Sequence, residues 1–156
     1  MRLYLAGPLF SEAERAFLSA LAARLRAAGF ECFVPHEHES GLTQPTPGAI
    51  FALDYERGLE PAHALVAWLD GAQVDDGTAC EIGLFHGLLR RDPWRRGMLG
   101  LVTDLRAQRR RPALGSGAVN PFVAGAIESC GRLCWSVDEL LELAARVKRG
   151  PIQGGL

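Results

Sequence analysis

Apolar residues recur along the chain in two rhythms. Short apolar runs closed by glycine, proline or charge predict strands at RLYLA (2–6), FECFV (30–34), AHALVAWL (62–69), MLGLV (98–102) and RLCWS (132–136). Between them apolar positions return every third or fourth residue. That spacing predicts helices over 11–29, 49–59, 77–90, 120–131 and 137–150. In the first, Phe17, Leu18, Leu21 and Leu25 share a face, Ser11 and Glu14 form a capping box, and Gly29 supplies the stop. Ser136 is the expected cap of the last. HEHESGLTQPTPG (36–48) and a Gly/Pro/Arg-rich stretch over 103–119 read as loops.

Strands alternating with helices predict an α/β protein with a parallel sheet of about five strands, covered on both faces. AHALVAWL, apolar throughout, suits a strand buried on both sides. No repeat or linker divides the chain, so one domain is expected over 1–150, with PIQGGL (151–156) as a tail that is loose or packed on a neighbouring subunit. Ligands of such sheets bind outside the carboxyl ends of the strands. The segments to watch are therefore AGPLFS (6–11), PHEHE (35–39), DGAQVDDGTACE (70–81), TDLR (103–106) and Asn120.

Composition narrows the function classes. Net charge is −1 over 156 residues, so no basic face for a nucleic acid polymer is implied. Lys148 is the only lysine; the arginine runs at 90–96 and 106–112 read as solvated loops. No apolar run is long enough to span a membrane. A chain opening on a strand predicts no secretory signal, hence a cytoplasmic protein with reduced thiols. Cys32, Cys80, Cys130 and Cys134 form no CxxC pair, and no zinc site is expected. There is no GxGxxG after the first strand, no phosphate-loop motif and no GxSxG.

VDDGTACEIG (74–83) is the exception to this ordinary pattern, since Asp75, Asp76 and Glu81 crowd where a strand feeds a helix. Gly77 and Thr78 are read as the helix start, with Asp76 near the cap, Asp75 in the loop and Glu81 near the end of the first turn. The helix start favours an ionised carboxylate. Such a carboxylate in a cleft can stabilise positive charge on carbon or attack it, as glycosyl transfer requires. The plainer reading makes Asp76 a cap and Glu81 a solvated side chain. His36 and His38 with these acids are a formal metal set, but no motif places them together; His63 and His86 read as structural.

YLAGPLFSEAER (4–15), LDYERGL (53–59), LDGAQVDDGTACEIGLFHG (69–87), GLVTDLR (100–106) and NPFVAGAIE (120–128) together resemble the nucleoside 2-deoxyribosyltransferases, over almost the whole chain. Deoxynucleoside 5′-monophosphate N-hydrolases are related members. The resemblance implies a flavodoxin-like or Rossmann-like three-layer sandwich with a five-stranded parallel sheet. It implies no metal or organic cofactor, and nucleoside and nucleobase substrates, with deoxynucleotides as a further option. A homodimer or dimer-built oligomer would complete its sites across an interface.

By the same resemblance Glu81 is the nucleophile that attacks C1′ of the deoxyribose, and Asp75 assists proton transfer to the departing base. Tyr4 positions Glu81, and Asp54 lies on the base side. Gly7 and Phe10 line the substrate, and Asn120 lies near the 5′ side of the sugar, often of the neighbouring subunit. Plainer roles stand beside each: Tyr4 as sheet core, Asp54 as a solvated acid, Gly7 as a turn residue, Asn120 as a cap for the helix starting at Pro121. The segment PHEHESGLTQPTPG departs from the better-known transferases and leaves base preference open. Ser11, Arg15, Arg57 and Arg106 are the candidates for a 5′-phosphate. Three functions follow: base exchange, hydrolysis with water as acceptor, and nucleotide binding without catalysis.

Overall fold

A computed structural model of the protein describes residues 1–39, 45–105 and 119–151. It contains β1 (Arg2–Ala6), α1 (Glu12–Ala27), β2 (Glu31–Phe33), α2 (Pro35–Glu39) and α3 (Pro47–Ala52). A π-helix (Leu53–Leu59) continues α3 and leads to β3 (Ala64–Trp68). The order then runs α4 (Asp76–Arg91), β4 (Gly97–Leu101), α5 (Pro121–Glu128), β5 (Gly131–Cys134) and α6 (Val137–Arg149). The five strands form one sheet in the order β2-β1-β3-β4-β5, and every pairing is parallel. The α/β three-layer sandwich expected from sequence is the observed fold.

Strand alternation sends side chains to two cores. Leu3 and Leu5 of β1 pack with α1 and α6, alongside Leu18, Leu25, Leu140 and Val147. Tyr4 and Ala6 point to the other face, with Phe33, Leu59, Ile82, Phe85 and Ile127. All five residues of β3 are buried, the burial on both faces that its unbroken apolar run predicts. The strand order reverses between β1 and β3, and such a switch point opens a crevice at the carboxyl edge.

Caps account for the helix starts. Ser11 and Glu14 form the expected capping box on α1, and Ser136 caps α6. Three local features differ from the sequence expectation. Part of the stretch read as a loop is the short helix α2. The helix expected over 49–59 divides into α3, capped by Thr46, and the π-helix. The third difference lies at α4, whose N-cap is Asp75, not Asp76. Asp75 wins because Thr78, three residues on, offers it both a backbone N–H (2.9 Å) and an inward hydroxyl (3.0 Å).

Two anchors hold the segments around the crevice. The Asp70 carboxylate accepts from the Thr103 N–H (2.6 Å) and hydroxyl (2.5 Å), and Asp104 accepts from the Gly71 N–H (3.1 Å). The exits of β3 and β4 are thereby joined. Arg95 is buried and donates to the carbonyls of Ala62 and Glu60, both at 2.6 Å, and to Asp92. It fixes the chain just after the π-helix to the start of β4. All four cysteines are free. Among the described residues no helix is long and apolar enough to cross a membrane.

Candidate active site

Glu81 sits in α4 beside the inward row Thr78, Ile82 and Phe85, so the helix turns its carboxylate toward the sheet. Directly opposite, β1 presents Tyr4. The Tyr4 hydroxyl donates to Glu81 Oε1 at 2.5 Å, a contact between residues 77 apart in sequence. Tyr4 is fully buried, as a sheet-core residue would be, and its hydroxyl reaches Glu81.

Two cavities meet at Glu81, sharing Ile50 and Gly77 as further wall. One, of about 410 Å³, is mostly apolar and is lined by Phe51, Tyr55, Leu84, Cys80 and Asp54. The other, of about 390 Å³, is lined by Gly7, Phe10, Pro35, Asp75 and Thr78. Glu81, Asp75, Asp54, Gly7 and Phe10 therefore border one continuous crevice at the carboxyl edge of the sheet.

Burial pushes the Glu81 carboxyl up to about 8. The Tyr4 hydrogen bond opposes that rise, and the nearby charges of Asp54 and Asp75 add to it. Asp75 is fixed by its capping bonds, both made by Oδ2. Asp76 is exposed, and its Oδ1 accepts from the Gly77 N–H (2.8 Å). Gly7 has a packing reason as well as a place in the wall. A Cβ there would lie 3.1 Å from Leu18 Cδ1 and 3.3 Å from Trp68 Cβ. Phe10 is 85% exposed at the rim.

The remaining sequence candidates fall elsewhere. Asn120 caps α5, accepting from the Phe122 N–H (2.9 Å), and is absent from the walls of both cavities. Arg15 donates to the carbonyls of Leu9 (2.7 Å) and Phe10 (2.9 Å), so it shapes the rim. Ser11 serves the α1 capping box and Arg57 is exposed; Arg106 lies outside the described residues. His36 Nε2 meets the Ser19 hydroxyl at 3.0 Å, and His38 stacks on Phe33. Sequence reasoning read Thr78 only as part of the helix start and missed its bonds to Asp75, although the D-x-x-T spacing is a capping signal. It also missed Ile50, Phe51, Tyr55 and Leu84, which carry no signal beyond being apolar.

The sequence profile of the nucleoside 2-deoxyribosyltransferase family matches residues 3–114. No curated protein matches the chain. Among solved structures, a conserved protein from Enterococcus faecalis V583 is 26% identical with a TM-score of 0.74, over 96% of this chain and 98% of that one. A 2-deoxyribosyltransferase from Bacillus psychrosaccharolyticus has a TM-score of 0.70 at 19% identity, over 100% of both chains. A Clostridium botulinum CMP N-glycosidase has a TM-score of 0.58 at 16% identity, over 94% of this chain and 99% of that one. At these two lower identities the likeness is one of fold.

Proposed function

The chain belongs to the nucleoside 2-deoxyribosyltransferase family, and from that premise we propose that it transfers 2-deoxyribose between nucleobases by way of a deoxyribosyl–Glu81 intermediate. The observation that carries the proposal is a buried glutamate, held by a tyrosine hydroxyl, where two cavities with further aspartates meet.

The chemistry follows from that arrangement. Ionised Glu81 attacks C1′ as the C1′–N bond breaks, and the bond's electron pair leaves with the base. Positive charge develops on the sugar, and the Asp54 carboxylate stabilises it. One proton must reach the departing nitrogen, and Asp75, which takes up the proton that Glu81 releases on ionising, is the acid we assign to deliver it. A second base then attacks C1′, the ester bond to Glu81 breaks, and Asp75 recovers the proton that the incoming nitrogen loses. Two inversions give net retention. Phe51 and Tyr55 offer a planar base an apolar surface, with Asp54 beside it.

The test is incubation with 2′-deoxynucleosides and 2′-deoxynucleoside 5′-monophosphates, with and without a second free base. Exchanged nucleoside is the expected product. Free 2-deoxyribose or its phosphate, formed equally without an added base, replaces base exchange by hydrolysis. Absence of turnover on every substrate overturns the enzyme reading.

We also infer a homodimer or dimer-built oligomer. Phe122 is 89% exposed and lines a cavity of about 450 Å³ with Gly83, His86 and Gly125 on α4 and α5. A second copy would cover that apolar face. Sedimentation should show no monomer at assay concentration, and a fully active monomer rules the idea out.

A further inference from the structure

We propose that Gly58 is a positioning residue for this site: with no side chain, it lets the π-helix close over the Tyr4 ring and holds the phenol against Glu81. The kinetic consequences rest on the proposed function; the geometry does not.

A glycine inside a helix calls for a reason. It costs about 1 kcal/mol relative to alanine in a helix interior. Backbone conformation is not the reason here, because the positive-φ glycines are Gly29, Gly71 and Gly97. The reason is contact. A Cβ on Gly58 would lie 2.7 Å from Tyr4 Cε2, and 2.6 and 2.7 Å from Phe33 Cε1 and Cδ1. These distances are far inside ordinary van der Waals separation.

The neighbours decide which atom must move. Hydrogen bonds resist retreat of the π-helix: Arg2 donates from its guanidinium to the Arg57 carbonyl, and just beyond the helix Arg95 holds the Glu60 and Ala62 carbonyls. Phe33 is buried between the Tyr4 ring on one side (centroids 5.6 Å apart) and the His38 ring on the other (4.3 Å). With its own contact at 2.7 Å, Tyr4 must take part of the displacement. Cε2 adjoins the carbon that bears the hydroxyl, so a push there moves the hydroxyl itself. Moving that contact from 2.7 Å to an ordinary 3.4 Å takes a shift of about 0.7 Å. A hydroxyl displaced on that scale no longer keeps the geometry of its 2.5 Å bond to Glu81.

The π-helix thus brings two groups to one site. Asp54 and Gly58 are four residues apart, about one turn, and share a face. One lines the Glu81 cavity and the other meets the tyrosine that bonds Glu81. The titratable groups acting on Glu81 are Tyr4 from β1, Asp54 from the π-helix and Asp75 from the cap of α4.

The test is titration of the Glu81 carboxyl by carbon-13 NMR in wild type, Y4F, G58A and the Y4F/G58A double variant. The bond from Tyr4 favours the ionised form, so weakening it raises the midpoint. G58A should raise it by about one pH unit and Y4F by at least as much. The double variant should match Y4F alone, because Gly58 acts through Tyr4. F33L/G58A relieves the two Phe33 contacts and leaves the one to Tyr4, so it should still titrate above F33L; it also stands in should G58A fail to fold. In turnover, G58A should lower kcat about tenfold at pH 7 with little change in KM.

A wild-type midpoint in G58A with only a lower Tm overturns the proposal, as do shifts of G58A and Y4F that add. Should F33L/G58A be the only foldable form, a midpoint equal to that of F33L overturns it too. A wild type without turnover would sink the functional reading, and the NMR cycle would still decide the role of Gly58.

Discussion

Glu81→Gln lowers cleavage of the glycosidic bond roughly 10⁴-fold or more, in a protein that keeps its fold. The substitution preserves shape and leaves an amide oxygen for the Tyr4 hydroxyl to bond. What it removes is the anion. A neutral amide neither forms the ester to C1′ nor offsets the positive charge that builds on the sugar as the base departs. Since the side chain still fills the corner where the two cavities meet, substrate affinity should hold while kcat collapses. Mass spectrometry of quenched wild type should show the deoxyribosyl adduct on the peptide carrying Glu81, and the variant should show none. Turnover near the wild-type rate in Glu81→Gln would remove Glu81 from the mechanism.

The second large effect is on pH, and it sets stability against activity. Burial, opposed by Tyr4 and reinforced by Asp54 and Asp75, raises the Glu81 carboxyl from an ordinary 4.5 to about 8. Between those values the folded protein keeps a proton that the unfolded chain has released. Stability therefore falls as pH rises from about 4.5, and the loss is complete above about 8. The difference corresponds to a loss on the order of 5 kcal/mol. Glu81→Gln has no such proton to lose. Urea unfolding should show the variant well above wild type at pH 9 and nearly level with it at pH 4.5. Catalysis runs the other way, because only the ionised form attacks. In the empty site about one-tenth of Glu81 is ionised at pH 7, so kcat/KM should climb about tenfold per unit below its midpoint near 8. Equal stability of the two proteins at pH 9, or a kcat/KM profile flat from pH 6 to 9, contradicts this account.

How much of this was legible in the sequence depends on the range of the interaction concerned. The five strands were legible because a parallel sheet covered on both faces demands unbroken apolar runs, as in AHALVAWL. Ser11, Ser136 and Asn120 were legible as caps because capping is local. The choice between Asp75 and Asp76 turned on whether Thr78 points inward, which depends on packing that adjacent residues do not encode. The π-helix was hidden because its apolar spacing in 49–59 matches that of an ordinary helix. For the site, DDGTACE (75–81) singled out Asp75 and Glu81, but no local pattern pairs Tyr4 with Glu81 across 77 residues. Gly58 stood in LDYERGL without a role until Tyr4 and Phe33 were placed against it.

The long reach from Tyr4 to Glu81 also has a meaning for folding. Tyr4 lies in the first strand the chain makes, and that strand pairs on one side with β2 and on the other with β3. Parallel pairings of this kind close long loops and form slowly. A nascent chain can build α1 and α4 from local contacts while Glu81 still has the acidity of any exposed glutamate. Its raised proton affinity, and with it the nucleophilic role we propose, appears only once β1 has been enclosed by both neighbours. Recovery of activity during refolding should therefore follow completion of the sheet, trailing the return of helix.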